Sequence, residues 1–522
     1  MARVRSLAAP MVLSSLALTG WLTSAAAQDT GTPPDNLNTV ATTNPSVLNQ
    51  TAGTPANLAA GEIGQPTPEA PGVIVGVTLG GMYTDNLRLS AQDQQSSWIA
   101  QVQPFVRAAW GGPRFSGIVD YALTGYAYTA GPTHHQLTQN LDANGSFAIV
   151  PQHFFIDGTA TYQRATINNE LPSNAGTYFL DNNRANVATA SVSPWWTQQF
   201  GNVGTVTVRY THGRVAYDVH GIPDQNSASL AGISDVTSDA LQFNIVSPKD
   251  RRWGWNAGYT GQRLKPDHGT DLKFAVAKVG TWFQLNPSIR LLADAGKENK
   301  YLPDGTVKNL GATFWDVGFD WVSVRDHVKL LVGHRFYGHS ADFSWTHTAA
   351  LLTTNVSYIE QPTDLSQQLL GDNLFSSTMV PVSVRQIPSL QERQAYLMKR
   401  ASASATYEMP RGKLTLELYD ETRRYFTLDN GREKVANAAL AWQIDLGALT
   451  TLTPSVGWQR YKFLTGQVEY THFEQLALVH QFNTKNFGSV GLRNDDRNVY
   501  SAVPGSHDYR VNLVYLQWTH LL

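Results

Sequence analysis

The chain contains 522 residues, has no cysteine and carries a formal net charge of −2 at pH 7. This composition excludes disulfide bridges and a lipid anchor on cysteine. It also argues against a nucleic-acid partner, because nucleic-acid-binding proteins carry a clear excess of basic residues. Charged residues make up 15% of the chain, against about 25% in typical soluble domains.

The N-terminal region contains two segments that differ from the rest of the chain. Residues 1–27 have a basic start, an apolar run and a small-residue exit at Ala25–Ala27, the pattern of a signal peptide cleaved near Ala27. Residues 28–71 are rich in Thr, Pro, Asn, Gly and Ala, so we expect a disordered periplasmic leader. The alternatives are a buried N-terminal helix for the first segment and a docking segment for a partner protein in the second.

From Val73 onward, apolar side chains recur at every second position. Between residues 98 and 110 they occupy the even positions, whereas Gln101, Gln103 and Arg107 lie at odd positions. A period of two places successive side chains on opposite faces of a β-strand. The same alternation recurs in residues 206–211, 253–260, 315–321 and 440–445. These segments are therefore predicted to be strands with one apolar and one polar face.

The number and length of these strands favour a membrane barrel over a soluble sandwich. We count about 21 candidate strands, many longer than the 5 or 6 residues that are usual in globular proteins. No later run of about 18 apolar residues could cross a bilayer as a helix. The sequence predicts an all-β fold, a transmembrane antiparallel up-and-down β-barrel of about 20–22 strands over residues 72–522. Residues 271–283 break the alternation, and we expect a bulge near Ala277 or Lys278.

Turn lengths alternate along the chain. Tight turns are predicted at residues 111–113, 150–152, 247–250, 286–287 and 410–412. Longer polar connections are predicted at residues 165–182, 218–235, 300–310 and 495–507. Short periplasmic turns and longer outer loops are typical of outer-membrane barrels, so we expect the longer connections to be exposed outside the cell.

A central insertion, residues 361–391, lacks sustained alternation. Loops longer than about 12 to 15 residues are usually functional or disordered. On the predicted sidedness, the strands before and after it both run towards the periplasm, so the chain must cross back once. The insertion is predicted to be a plug or constriction of the lumen, or to supply an extra strand at residues 376–387; a simple loop is the third alternative.

The polar face of the strands is predicted to line the lumen. By parity the inward candidates are Gln101, Gln103, Arg107, Asp120, Arg209, Asp316, Asp320, Lys329, Arg335, Tyr337 and Glu417. Their mixed charge argues against a strongly ion-selective pore. Amides and aromatic faces can hydrogen-bond to sugars and stack on them. The alternative is that these residues only solvate the interior and brace the wall.

Residues with catalytic chemistry are scattered. Candidates are His134–His135, His334, His339, His347 and Asp495–Asp496. None matches a helical zinc pair, and the sequence has no GxSxG motif and no glycine-rich phosphate loop. We expect no enzyme activity, no metal and no cofactor.

Several strand motifs resemble a known family. The first three strands contain YTDN at residues 83–86, QVQP at 101–104 and DY at 120–121, and a later strand pair begins YLMKR at 396–400. In this respect the chain resembles the PEP-CTERM-system-associated outer-membrane β-barrel family, which is related to β-barrel porins of exopolysaccharide loci. The resemblance covers nearly all of residues 73–522. Barrels of this type commonly end in an aromatic residue, whereas this chain ends in Leu522.

The resemblance implies a function in exopolysaccharide or capsule export at the outer membrane of a Gram-negative cell, as a passive conduit. The alternatives are a porin for small solutes and a non-conducting structural or assembly partner of the polysaccharide machinery. Expected partners are outer-membrane lipid and lipopolysaccharide and the outer-membrane assembly machinery. Polysaccharide and periplasmic export components are further expected partners, and nucleic acid is not.

Overall fold

The computed structural model describes residues 72–522 except 175, 181–182, 219–232, 249–250, 303–305, 371–393 and 427–430. The predicted signal peptide and leader, and most of the predicted insertion, lie outside the described residues.

Long β-strands, from 10 residues in the shortest to 17 in the longest, account for most of the described chain. The strands are β1 (Gly72–Thr84), β2 (Ser97–Gly111), β3 (Phe115–Tyr128), β4 (His135–Val150), β5 (Phe154–Thr166), β6 (Arg184–Phe200), β7 (Gly204–Asp218), β8 (Val236–Val246), β9 (Trp253–Pro266), β10 (Leu272–Asn286), β11 (Ile289–Tyr301), β12 (Val307–Val322), β13 (Asp326–Arg335), β14 (Gly338–Thr348), β15 (Leu352–Thr363), β16 (Tyr396–Met409), β17 (Gly412–Tyr425), β18 (Arg432–Gly447), β19 (Thr450–Lys462), β20 (Val468–Asn483), β21 (Asn486–Tyr500) and β22 (Tyr509–Leu521). One short helix, α1 (Leu365–Leu370), follows β15. No helix among the described residues is long and apolar enough to span a bilayer.

The sheet closes on itself. Each strand pairs antiparallel with its neighbours in the chain, and β1 also pairs with β22, from Gly76↔Leu521 to Thr84↔Leu513. Closure satisfies the backbone groups that a free edge would expose to lipid. The predicted antiparallel up-and-down barrel is confirmed, with 22 strands among the described residues.

The outward face is apolar and solvent-accessible in the isolated chain. Exposed side chains of this face include Val73, Trp98, Val102, Leu241, Trp253, Trp315, Leu440, Trp442, Val456 and Leu516. Exposed apolar side chains all around a closed barrel are suited to contact with lipid acyl chains.

The predicted bulge near Ala277 is wrong. Strand β10 pairs with β9 without a register shift from Leu272↔Leu264 to Phe283↔Trp253. Alternation is obscured because three inward residues of β10 are themselves apolar: Phe274, Val276 and Trp282. Trp282 is only 3% exposed, since it packs inside the barrel rather than against lipid.

Connections at the two ends of the barrel differ in length. At one end, here called the short-turn end, neighbouring strands are joined by a few residues, as at 112–114, 201–203 and 410–411. At the other, the long-connection end, the connections include residues 85–96, 167–183 and 364–395. Two predicted long connections are shorter than expected, because the flanking strands extend to Tyr301 and Tyr500.

The course of the chain around the predicted insertion also differs from the expectation. β15 and β16 pair directly and antiparallel, from Leu352↔Tyr407 to Thr363↔Tyr396, so they do not run in the same direction. The wall therefore has no place for an extra strand between them. Turn length misled the prediction, because β13 and β14 are joined at the long-connection end by only Phe336 and Tyr337. Residues 376–387 themselves lie outside the described residues.

Candidate permeation path and its inner lid

Ten of the eleven predicted lumen residues lie on the inward face of the strands. Residues that lie directly opposite each other on neighbouring strands share a face of the sheet. Arg107 lies opposite Asp120, and Asp316 lies opposite Gly333. Gln101 and Gln103 are 3% and 5% exposed, so inward side chains pack against each other rather than line a wide empty channel. Tyr337 is the exception. It lies in the two-residue connection after β13, where its hydroxyl donates to the Glu360 carbonyl at 3.3 Å.

Pairs of hydroxyl groups line much of the inner wall. They bridge neighbouring strands as Thr159–Ser191 (2.7 Å), Thr161–Thr189 (2.7 Å), Ser193–Thr211 (2.8 Å), Thr197–Thr207 (3.2 Å), Ser357–Ser402 (2.6 Å) and Thr78–Thr519 (2.9 Å). Cross-strand hydroxyl pairs stabilise a sheet. The partly exposed hydroxyls, such as those of Thr159, Ser191, Thr197 and Thr207, also retain hydrogen-bonding capacity towards the lumen, so this part of the wall can interact with uncharged polar groups.

Several inward charges are paired within the wall. Arg107 pairs with Asp120 at 2.9 Å and Arg209 with Asp157 at 2.8 Å. Arg335 bridges two carboxylates, those of Glu298 (3.0 Å) and Asp316 (2.7 Å). Because opposite charges lie side by side, the lining presents no large field of one sign to a passing solute.

The β5–β6 connection folds into the barrel instead of projecting away from it. We call residues 167–180, apart from 175, the lid loop; none of them is exposed. Its backbone carbonyls accept hydrogen bonds from the opposite wall. Gln467 and Arg497 donate to the Glu170 carbonyl at 2.9 and 2.8 Å, and Tyr509 donates to the Ser173 carbonyl at 2.7 Å. The prediction that residues 165–182 form an exposed outer loop is therefore wrong, because inward polar side chains satisfy the backbone of this loop.

Aromatic packing holds the second half of the lid loop. Tyr178 and Phe179 are each 1% exposed and belong to an apolar cluster with inward side chains of β1, β2, β3 and β22. The Tyr126 hydroxyl contacts Thr177 Oγ1 at 3.0 Å, and Tyr128 donates to the Tyr178 carbonyl at 3.0 Å. Burial of two aromatic rings contributes several kcal/mol of apolar stabilisation, so the lid loop is a packed element of the barrel.

Helix α1 adds a second obstruction at the same end. Asp364 accepts a hydrogen bond from the Gln367 amide at 2.8 Å and so caps the helix. Leu365 and Leu369 are buried in a cluster that joins inward side chains of β5–β9 to those of β16–β19. On the far side the helix meets Gly213, where a Cβ would lie 3.0 Å from the end of Leu370. The helix therefore bridges two walls, although sequence periodicity predicted no element there.

A buried charge network supports the wall beneath α1. Arg400 and Arg423 both pair with Glu421, and Arg423 also reaches Glu433 at 3.3 Å. The Tyr461 hydroxyl donates to Glu433 at 3.0 Å. These groups satisfy each other with almost no water contact, as buried charges require. Of this wall, only Glu417 is predicted from the sequence to line the lumen.

Glu170 carries the carboxyl group of the lid loop. Burial raises the pKa of its carboxyl group, the hydrogen bond from Thr465 opposes this shift, and the nearby Glu433 adds to it. Burial also raises the pKa of the Tyr178 hydroxyl. The buried position of Glu170 therefore favours its protonated, neutral form over the carboxylate.

The predicted catalytic candidates do not converge. His334 and His339 face each other on the outward side, with ring centroids 5.7 Å apart. Asp495 is inward and paired with Arg493 at 2.8 Å, whereas His347 contacts Asp326 at the short-turn end. Among the described residues no three His, Asp or Glu side chains group as metal ligands would.

Comparison with known proteins concerns the fold. No family model and no curated protein matches the chain. Among solved structures, it resembles the FrpB iron transporter from Neisseria meningitidis, with 10% identity over 90% of this chain and 83% of that chain and a TM-score of 0.49. It also resembles a mutant ferric enterobactin receptor from Pseudomonas aeruginosa, with 8% identity over 87% of this chain and 81% of that chain and a TM-score of 0.47. The closed sheet and the exposed apolar outward face of this chain are themselves the architecture of a transmembrane β-barrel.

Proposed function

We propose that the chain is a gated outer-membrane conduit for a hydrophilic polymer, a surface polysaccharide on its way out of the cell. The observation that supports this most is the set of partly exposed hydroxyl pairs on the inner wall, such as Thr159–Ser191 and Thr197–Thr207. A polysaccharide presents mainly hydroxyl groups, and a wall of hydroxyls can exchange hydrogen bonds with it at low cost.

Locally neutralised charge also supports a largely uncharged cargo. Pairs such as Arg209–Asp157 leave little net charge on the wall, whereas pores for small ions carry rings of one sign. A strongly charged solute would therefore gain little in this lumen.

The lid loop and α1 would act as the gate. Both lie at the long-connection end, which we assign to the cell exterior because outer-membrane barrels have their short turns in the periplasm. The conduit would be open to the periplasm and closed near its outer mouth. In this scheme the partners are outer-membrane lipid and lipopolysaccharide, the assembly machinery that inserts the barrel, the polysaccharide and periplasmic export components.

The test replaces residues 168–182 with a short Gly–Ser linker and compares single-channel conductance in planar bilayers. We expect the wild-type barrel to conduct weakly and the variant several-fold more, because the lid loop leaves the lumen. Neutral oligosaccharide added at the short-turn side should then reduce the current of the variant. The matched control replaces the exposed β9–β10 turn, residues 267–270, and should conduct like the wild type.

Three outcomes separate the alternatives. A folded variant with wild-type conductance contradicts the conduit and favours a structural partner of the polysaccharide machinery. A conducting variant whose current is insensitive to oligosaccharide indicates a porin for small solutes. Block by oligosaccharide supports polymer passage.

A further inference from the structure

Five basic side chains lie together on three adjacent strands, β17, β18 and β19, at the long-connection end. They are Arg424, Arg432, Lys434, Arg460 and Lys462, and we call this group the rim patch. Register places like charges directly opposite each other, Arg424↔Arg432 and Lys434↔Lys462. Opposed like charges destabilise a sheet, so an anion bound between them would relieve this cost.

The rim patch faces away from the lumen. The residues that alternate with it, Arg423, Glu433 and Tyr461, are 0%, 3% and 1% exposed and point inward. Side chains one position along a strand point to the opposite face. The five cations therefore lie on the outer surface of the barrel.

No ion pair neutralises the rim patch within the described part of the chain. Arg424 Nε is buried there without a hydrogen-bond partner. Other cations near the same rim are paired: Arg214 with Asp235 at 2.9 Å, and Arg263 with Asp271. The rim patch thus keeps its positive charge available for a ligand.

Apolar side chains continue directly below the rim patch. Along β19 the outward residues pass from Val456 and Trp458 to Arg460 and Lys462, and along β18 Lys434 is followed by Ala436, Ala438 and Leu440. Two residues along a strand span about 7 Å. The cations therefore lie where a lipid that covers the apolar face would place its headgroup, and Trp458 lies at the boundary, as interfacial aromatics do.

We propose that the rim patch binds the phosphate groups of a phosphorylated lipid of the outer leaflet, whose acyl chains lie against the apolar face of β18 and β19. The three arginines suit this ligand, because a guanidinium group can donate two parallel hydrogen bonds to a phosphate. Its place in the outer leaflet rests on the sidedness given under the proposed function. Binding of the phosphorylated lipid itself does not depend on sidedness.

The test measures lipid binding to the purified full-length protein in detergent by native mass spectrometry, with phosphorylated lipid A and dephosphorylated lipid A as probes. Wild-type protein should prefer the phosphorylated form. The variant Lys434→Gln, Arg460→Gln, Lys462→Gln should lose affinity for it by about a hundredfold, since each basic residue near an anionic surface contributes about fivefold. The matched control, Arg214→Gln with Arg263→Gln, removes ion-paired cations and should keep the preference.

Three results would overturn the proposal: equal binding of the two lipids by the wild type, undiminished binding by the triple variant, or equal loss in the control. Inorganic phosphate is the third probe. If it displaces the lipid at equal concentration, acyl chains contribute nothing and the ligand is free phosphate rather than a lipid. If the triple variant does not fold, the wild-type protein alone tests the proposal: a preference for phosphorylated lipid A supports it, and equal binding of the two lipids contradicts it. None of these measurements involves conductance, so their outcome does not depend on whether the barrel conducts a polymer.

Discussion

Arg497 on β21 donates a hydrogen bond from Nη2 to the backbone carbonyl of Glu170, 2.8 Å away in the lid loop and 327 positions distant in the chain. The same guanidinium group pairs with the Glu469 carboxylate at 2.7 Å and is fully buried. Arg497 therefore anchors an inward-folded connection to the far wall of the barrel, and its own charge is neutralised at that wall.

Removal of this anchor should loosen the lid loop. Arg497→Gln alone would take its arginine from the buried Glu469 carboxylate, at a cost of roughly 3–5 kcal/mol, so the informative variant is Arg497→Gln with Glu469→Gln. We expect a heat-modifiable, folded barrel with more frequent channel openings in planar bilayers. The control is Arg209→Asn with Asp157→Asn, which removes an inward ion pair that does not contact the lid loop. Equal gating in both double variants would show that the anchor has no special role.

Opening should depend on pH through Glu170. Its pKa is raised above the ordinary value of 4.5 when the lid loop is closed. The closed state therefore binds a proton at Glu170 more tightly than the open state does. This stabilisation is fully present below pH 4.5 and is lost as pH rises through the raised pKa. We expect open probability to increase with pH across that window, and Glu170→Gln, which mimics the protonated form, to remove the dependence. Glu474→Gln, on the exposed outward face, should keep the wild-type profile, and a flat wild-type profile would exclude Glu170 as the sensor.

Cysteine labelling can test sidedness and the lid loop together, because the natural chain has no cysteine. A membrane-impermeant maleimide should label Thr270→Cys, at the long-connection end, on intact cells. It should label Val324→Cys, a fully exposed residue of a short turn, only after the outer membrane is opened. Ser173→Cys should resist labelling until the barrel is denatured, because Ser173 is 4% exposed within the lid loop. Reversal of the first two results would invert the topology.

Deletion of residues 371–393 should leave the barrel intact. β15 and β16 pair directly up to Thr363↔Tyr396, so a flexible linker from Leu370 to Gln394 preserves every wall pairing. We expect the variant to remain heat-modifiable and detergent-soluble, whereas deletion of β16 should abolish folding because two edges would face lipid. Increased conductance of the 371–393 deletion would support a plug or constriction, and unchanged conductance a simple loop. An unfolded product would contradict the direct pairing of the two strands.

The wall of this protein could be predicted from the sequence because the signal for it is local. Alternation around Gln101 and Gln103 or around Trp315 and Val317 assigns each side chain to a face without knowledge of its partners. Since every strand must satisfy its backbone inside a membrane, closure into a barrel follows. On this basis the alternation assigns Arg107, Asp120 and Arg209 to the inward face, where they form the pairs Arg107–Asp120 and Arg209–Asp157.

The lumen could not be predicted in this way, because its state depends on contacts between distant parts of the chain. Nothing local in residues 167–180 indicates that the Glu170 and Ser173 carbonyls will meet Arg497 and Tyr509; their polar composition is equally typical of an exposed loop. For the same reason, the inward position of apolar residues such as Trp282 was mistaken for a break in the strand. Periodicity determines which face a side chain takes, and only the tertiary structure decides whether that face meets water, a lid loop or the opposite wall.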